Sequence, residues 1–397
     1  MNLNTMRGKK ILAVTGIRSD YDILFPVLDE LRSRDFDLSI VVSGAHLSEQ
    51  YGLTIERIIE DGFEIADKID SLFSTDRKTQ RSKGVASIIA GLTQTIERVK
   101  PDIVIYVGDR EEGIAAALVC NYTDTLMLHL CGGDPVYGNA DDPIRFAISK
   151  LAHIHCVTHK DHADNLIRMG EESFRVFHTG NPSYTNIDNV INMEVEDVFL
   201  ALDIPVCSEN FIIFIQHPLS SELDQTKAQI EESMDALKEF CIENNYIAIC
   251  IASNSDPGSE VIRSSILSYK DEDWIFTFES LKRNYFINLV RNAKALVGNS
   301  SMGILEAPHY KLPVINIGNR QKGRLNAGNV VFIDHNKHDI IAEIEKACLD
   351  EVYREKVRNL NNPYGDGAAA SKIVDCIEEI DISDRNWFIK KRLVPLK

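Results

Sequence analysis

The sequence predicts an α/β protein of two Rossmann-like, doubly wound domains facing a cleft. Three observations carry this. The chain has 397 residues, more than one hydrophobic core usually supports. Short runs rich in Val, Ile and Leu alternate with longer amphipathic stretches. That rhythm breaks once, near the middle, and then restarts.

In the first half the strand-like runs are Lys10–Thr15, Asp37–Ser43, Asp102–Val107, Thr125–Leu130, Ile154–Thr158 and Arg175–Thr179. They show little polar alternation, as expected when helices cover both faces of a parallel sheet. Helical patterns such as Ile23–Arg32 and Val85–Val99 lie between them. Strands alternating with helices form βαβ units and a right-handed doubly wound sheet. Tyr184–Asn210 carries two acidic patches and a proline and reads as a connection. The expected layout is a first domain over 1–183, a connection over 184–209 and a second domain over 210–366. In the second half Phe211–Gln216, Tyr246–Ala252, Trp274–Phe278, Ala295–Val297, Val314–Ile317 and Val330–Ile333 read as strands, with a long helix over about Glu222–Glu243. Gly367–Ile380 is helical, and residues 367–397 are expected to pack back on the first domain. Such paired sheets suit a nucleotide-carrying ligand, bound at the carboxyl ends of strands.

Composition narrows the function. A hydrophobic fraction of 44% with 26% charged residues is that of a globular chain, not a disordered one. No apolar run approaches the roughly 18 residues that a membrane span needs. Met1–Lys10 is polar and leads straight into a strand, without a signal-peptide core, so a cytoplasmic location is expected. The eight cysteines include no CxxC pair and read mostly as small apolar core residues. A net charge of −17 opposes nucleic acid as a partner. An anionic ligand then requires a local basic, amide-lined site.

Several strand ends finish in small and polar residues. The first gives Thr15-Gly16-Ile17-Arg18-Ser19-Asp20-Tyr21, in which a glycine permits close backbone approach and an arginine can fork onto phosphate. The next two give Ser43-Gly44-Ala45-His46 and Gly108-Asp109-Arg110-Glu111, the aspartate being either a general base or a helix cap. His129-Leu130-Cys131-Gly132-Gly133-Asp134, followed by Asp141-Asp142-Pro143-Ile144-Arg145, holds more ionisable groups than a plain turn needs. In the second half Gln216-His217-Pro218, Ser253-Asn254-Ser255 and Gly298-Asn299-Ser300-Ser301 close strands, and Glu306 follows one turn later. Gly318-Asn319-Arg320-Gln321-Lys322-Gly323-Arg324 places three cations in seven residues of an acidic chain, which suggests an anion site. His153, His155, His159 and His162 lack a recognisable ligand spacing, and no metal is expected.

Taken in order, GIRSDYD, SGAHLSEQYG, GDREE, HLCGGD, DDPIRFAISKLAHIH, SNSDPGS, GNSSMGILEAP and INIGNRQKGR resemble the hydrolysing UDP-N-acetylglucosamine 2-epimerase family. The resemblance spans about Lys9 to Gly367. It implies the glycosyltransferase-B architecture, UDP held mainly by the second domain, and no metal or redox cofactor. It also implies trans elimination of UDP, giving 2-acetamidoglucal, then hydration to free N-acetylmannosamine for sialic-acid-type surface sugars. By motif position Asp109 and Asp141 match catalytic carboxylates. Arg18, His217, Ser300, Ser301, Arg320 and Arg324 match a diphosphate clamp, Glu306 a ribose contact and Asn254 a residue near the nucleotide. Asp22, His46, Arg110, Arg145, Gln321 and Gly323 lie in the same motifs and are further binding candidates. A dimer or tetramer is the family's expectation.

The chain departs from the family where Cys131 and Asp134 stand for glutamates, and where Phe146 stands for a histidine. A thiol is less acidic than a carboxyl and does not simply replace it. Either Asp134 assumes the missing acid–base role, with Cys131 beside it, or the substrate differs. UDP-N-acetylglucosamine is the first expectation. UDP- or GDP-linked N,N′-diacetylbacillosamine, less polar at C6, is the alternative, and a glycosyltransferase of the same fold is the other enzymatic class.

Overall fold

The computed structural model describes residues 8–73, 79–136, 141–185, 187, 190–205, 210–253, 256–384 and 387. In chain order the strands of the first half are β1 (Lys10–Thr15), β2 (Asp37–Ser43), β3 (Ile65–Ile69), β4 (Ile103–Val107), β5 (Leu126–Leu130), β6 (Ile154–Val157) and β7 (Val176–His178). They form one parallel sheet in the order β3-β2-β1-β4-β5-β6-β7. The second half supplies β8 (Phe211–Ile215), β9 (Ile247–Ile251), β10 (Ile275–Phe278), β11 (Leu296–Gly298), β12 (Val314–Ile317) and β13 (Val330–Ile333). These pair in parallel in the order β10-β9-β8-β11-β12-β13.

Side-chain alternation explains why these runs are apolar throughout. Along β1, Ile11 and Ala13 enter one core with the helices Arg18–Ser33 and Ala369–Glu379. Leu12 and Val14 enter the other with the helices Thr79–Val99 and Glu111–Tyr122. In the second sheet Ile212 and Phe214 face the helices Thr226–Asn244 and Lys337–Leu349, while Phe211 and Ile213 face Val195–Ala201 and Arg283–Asn292. A strand buried on both faces needs an apolar residue at every position, each worth about 1.5–3 kcal/mol when fully buried.

The described chain falls into two compact units. The first gathers the segments up to Pro135, Asp141–Thr185 and the chain from Tyr364 onward; the second is built on Asn186–Pro363. In the terminal helix Ala370, Ile373, Val374 and Ile377 line one face at helical spacing and complete the first unit's core. The stretch expected to be a mere connection instead carries the helix Val195–Ala201, whose Val198 and Phe199 are buried in the second unit. No described helix is long and apolar enough to cross a membrane.

Both sheets reverse their strand order at one place. β1 and β4 are neighbours although β2 and β3 intervene in sequence, and β8 and β11 are neighbours although β9 and β10 intervene. Ligands of open α/β sheets bind beyond the carboxyl ends of strands at such switch points. Thr15-Gly16 and Gly108-Asp109 leave the first pair; Gln216-His217 and Asn299-Ser300 leave the second.

Candidate functional sites at the two switch points

The first cluster grows from the turn after β4. Asp109 meets the guanidinium of Arg145, on the helix Asp141–Leu151, through both Nε, at 3.1 Å, and Nη2. The third nitrogen of that fork, Nη1, lies 3.5 Å from Asp134 Oδ2. Burial works against the charge of Arg145, and Asp109 and Asp134 more than offset it. Arg81 makes a parallel bridge: it pairs with Glu111, and its Nη2 donates to Asp141 Oδ1 at 2.6 Å. Two charge groups thus lie beside β4 and β5, one joining half-buried Asp109 and buried Asp134 through Arg145, the other joining Glu111 and buried Asp141 through Arg81. Cys131 enters that region with a backbone φ of 62°, a left-handed conformation that costs a non-glycine residue about 1–2 kcal/mol. Its amide donates to Cys156 O at 2.9 Å, which holds the strained turn on β6.

Beneath the switch point lies a carboxyl that the sequence motifs did not single out. A Cβ on Gly16 would stand 2.0 Å from Glu112 Oε1, and one on Gly44 2.7 Å from it. The two glycines that end β1 and β2 therefore make room for Glu112. Its Oε2 is buried without a hydrogen-bond partner, as is Asp20 Oδ2. Burial, reinforced by the neighbouring Glu111, pushes Glu112 up to about 7. Burial likewise holds Asp20 well above the usual carboxylate range, against the pull of Arg110. A carboxyl raised from its ordinary 4.5 to about 7 gives stability that is full below the lower value and is lost as pH rises through the upper one. Between about pH 5 and about pH 8 the melting temperature of the parent should therefore fall more steeply than that of Glu112→Gln. Equal slopes in a buffered thermal-unfolding series would show that Glu112 ionises freely in the fold.

The second cluster is knit by the turn after β11. Gly298 adopts a φ of 126°, and a Cβ there would stand 2.0 Å from Ile215 O. Only glycine lets β11 end so close to β8. Asn299 Oδ1 accepts from His217 N at 2.7 Å, and Asn299 Nδ2 donates to His217 O at 2.9 Å. Arg320 Nη1 and Gln321 Nε2 each donate to Asn299 O at 3.1 Å. Arg324 Nη1 donates to Gln321 Oε1 at 2.6 Å, and both side chains are buried. The loop with Gly323 is folded onto the strand ends, which brings Arg320, Gln321 and Arg324 to His217 and the Asn299-Ser300 turn. His217 Nδ1 lies 3.0 Å from Ser253 Oγ.

Other candidates are placed as follows. Arg18 is the first residue of the helix Arg18–Ser33, which begins five residues before the expected Ile23. Asp22, one turn on, is 2.7 Å from Arg57 Nη2. His46 is buried, with Thr15 Oγ1 at 3.0 Å from one ring nitrogen and Thr54 Oγ1 at 2.7 Å from the other; burial lowers it to about 3. It holds β1 to the following loop as a neutral ring. Arg110 is buried, 3.8 Å from Glu111. Ser301 stands just before the one-turn helix Met302–Leu305, Ser300 Oγ accepts from Met302 N at 3.4 Å, and Glu306 ends that helix rather than lying inside a longer one. Asn254 lies outside the described residues. The four histidines have separate tasks: His153 Nδ1 accepts from Met127 N, His155 pairs with Glu171, His159 caps the helix Lys160–Arg168, and His162 meets Thr158 and Asp134. Sequence reasoning missed Asp20, Arg81 and Glu112. Glycines closing two adjacent strands were a readable signal for Glu112; Arg81, in an ordinary amphipathic helix, gave none.

Two Rossmann-like parallel sheets, one ending in carboxylate–guanidinium pairs and the other in a basic amide-rich loop, place the chain in the glycosyltransferase-B fold class. Comparison makes this specific. Residues 29–378 match the family model described as UDP-N-acetylglucosamine 2-epimerase, and the chain belongs to that family. It is 35% identical to the GDP/UDP-N,N′-diacetylbacillosamine 2-epimerase (hydrolyzing) of Campylobacter jejuni, over 86% of this chain and 88% of that one. It is 33% identical to the UDP-N,N′-diacetylbacillosamine 2-epimerase (hydrolyzing) of Legionella pneumophila, over 94% and 97% of the two chains. Among solved structures, the UDP-GlcNAc 2-epimerase from Neisseria meningitidis bound to UDP-GlcNAc shares the fold. Its TM-score is 0.78 at 20% identity, covering 94% of this chain and 100% of that one.

Proposed function

We propose that this protein is a hydrolysing 2-epimerase converting a UDP-linked 2-acetamido sugar and water into UDP and the free sugar inverted at C2. The observation that carries the reading is the grouping of half-buried Asp109 with buried Asp134 and Arg145 at the first switch point. A base there removes the C2 proton, the C1–C2 double bond forms, and the C1–O pair departs with UDP. Water then gives its hydroxyl to C1, and a proton returns to C2 on the opposite face. The C2 proton is weakly acidic, so the departing charge must be stabilised as the base acts. Asp109 and Asp141 are assigned the acid–base work, with Asp134 taking the part that Cys131 cannot. Arg18, His217, Ser300, Ser301, Arg320 and Arg324 are assigned to the diphosphate and Glu306 to the ribose.

For the sugar, N,N′-diacetylbacillosamine moves ahead of N-acetylglucosamine, reversing the order that the sequence suggested. Support comes from the two relatives named for that sugar and from Cys131 and Phe146, which make the motif less polar. The test is UDP release, with no acceptor present, from UDP-N,N′-diacetylbacillosamine, its GDP counterpart and UDP-N-acetylglucosamine. A kcat/KM at least about tenfold higher for a bacillosamine donor is expected, since a less polar pocket discriminates between similar groups at about that scale. The opposite ratio assigns N-acetylglucosamine, and release only with an acceptor returns the protein to the glycosyltransferases. Arg320→Ala should weaken calorimetric UDP affinity about tenfold, the worth of a charge-assisted contact. Unchanged affinity would place the nucleotide away from this loop.

A further inference from the structure

Asp134 poses a question of charge balance. It is 2% exposed, and a buried carboxylate must be paired or it gives up its charge. Its guanidinium partner is shared, because Arg145 commits Nε and Nη2 to Asp109 and brings only Nη1 within 3.5 Å of Asp134 Oδ2. On the other side, His162 Nε2 lies 3.5 Å from Asp134 Oδ1.

His162 is itself built into place. It is 2% exposed and stands in the first turn of the helix Lys160–Arg168. Its Nδ1 lies 2.8 Å from Thr158 Oγ1. With the threonine hydroxyl donating to Nδ1, the Nε2 proton is aimed at the carboxylate. Tyr364 tilts against the ring at 6.3 Å between centroids, and His159 meets it edge-on at 5.9 Å. His178, on β7, stands behind His159 at 6.1 Å. Among the described residues these contacts place Asp134 and, through it, Arg145 on one side of His162, and His159, His178 and Tyr364 on the other.

From this geometry we infer that His162 is a positioning residue for Asp134, fixing the carboxylate opposite Arg145 in the chain Asp109–Arg145–Asp134–His162–Thr158. This rests on the epimerase reading for its consequence but not for the pairing. It gives a physical account of how Asp134 can serve beside a thiol: the carboxylate is flanked by Arg145 on one side and His162 on the other. Removing His162 takes away one of the two described charged neighbours of Asp134, and the proton affinity of Asp134 rises.

Two measurements on the full-length protein test it. The first follows histidine ring carbons by NMR through a pH titration. Asp134→Asn should lower the His162 midpoint by about one unit or more, the usual effect of losing an adjacent carboxylate. An unmoved midpoint overturns the pairing, whatever the enzyme's activity. The second is kinetic. His162→Phe should lower kcat about tenfold or more with KM within about twofold, and move the acid limb of the kcat profile to higher pH. His162→Gln, which keeps a donor near Nε2, should recover most of the loss. A His162→Phe enzyme with unchanged kcat and acid limb overturns the positioning role. A parent that turns over no donor overturns the epimerase reading instead, and the titration still decides the pairing.

Discussion

Asp109→Asn is expected to lower turnover by about two orders of magnitude or more while leaving UDP affinity within about twofold. The substitution keeps shape and one acceptor oxygen but removes the charge and the capacity to take a proton. Asp109 sits directly beyond β4 at the switch point and engages Arg145 through two nitrogens. The nucleotide is assigned to other residues, those of the Asn299 turn and the Arg320 loop. Turnover and UDP affinity should therefore separate. Near-normal turnover measured alongside intact UDP binding would remove Asp109 from the mechanism.

The second large effect is expected at Arg145. Replacing it with methionine keeps the stem and removes the guanidinium that joins half-buried Asp109 to buried Asp134. Breaking a buried pair from one side costs about 3–5 kcal/mol, because the remaining charge is left uncompensated. For a unit of this size that corresponds to a fall of about 6–20 °C in the first unit's melting temperature. Turnover should fall with it. Arg145→Lys should rescue little, since a point charge cannot reproduce a fork that serves two carboxylates. Adding Asp109→Asn to Arg145→Met should restore part of the lost stability, because it removes one of the stranded charges. A strictly additive double variant would mean that the two side chains are not energetically coupled.

Much of this architecture was legible because strands buried on both faces announce themselves. Lys10–Thr15, Asp37–Ser43, Val314–Ile317 and Val330–Ile333 have the bounds that the apolar runs predict, and the other predicted strands differ by one residue at one or both ends. β3 escaped because its sequence IADKI is polar and mostly half-buried, as suits an edge strand paired on one side only. The helix Val195–Ala201 escaped because its acidic neighbours suggested a linker, while Val198 and Phe199 gave too short an apolar signal. At the sites, the sequence named the residues that strand ends must present, such as Asp109 and Arg320. It could not show that Gln321 and Arg324 turn inward, since a basic glycine-rich loop reads as solvated until its partners are known. Arg81 and His162 were illegible as site residues for the same reason: their meaning comes from Asp141 and Asp134, distant in sequence and adjacent only once the sheet is assembled.

The most direct test of the central claim is the product formed in D₂O, followed by NMR with UDP-N,N′-diacetylbacillosamine or UDP-N-acetylglucosamine and neither metal nor acceptor added. The account predicts UDP and a free, C2-inverted sugar carrying deuterium at C2, because the original proton leaves in the elimination and solvent supplies its replacement. A free sugar that keeps both its C2 proton and its configuration, or an epimer still attached to the nucleotide, would contradict it.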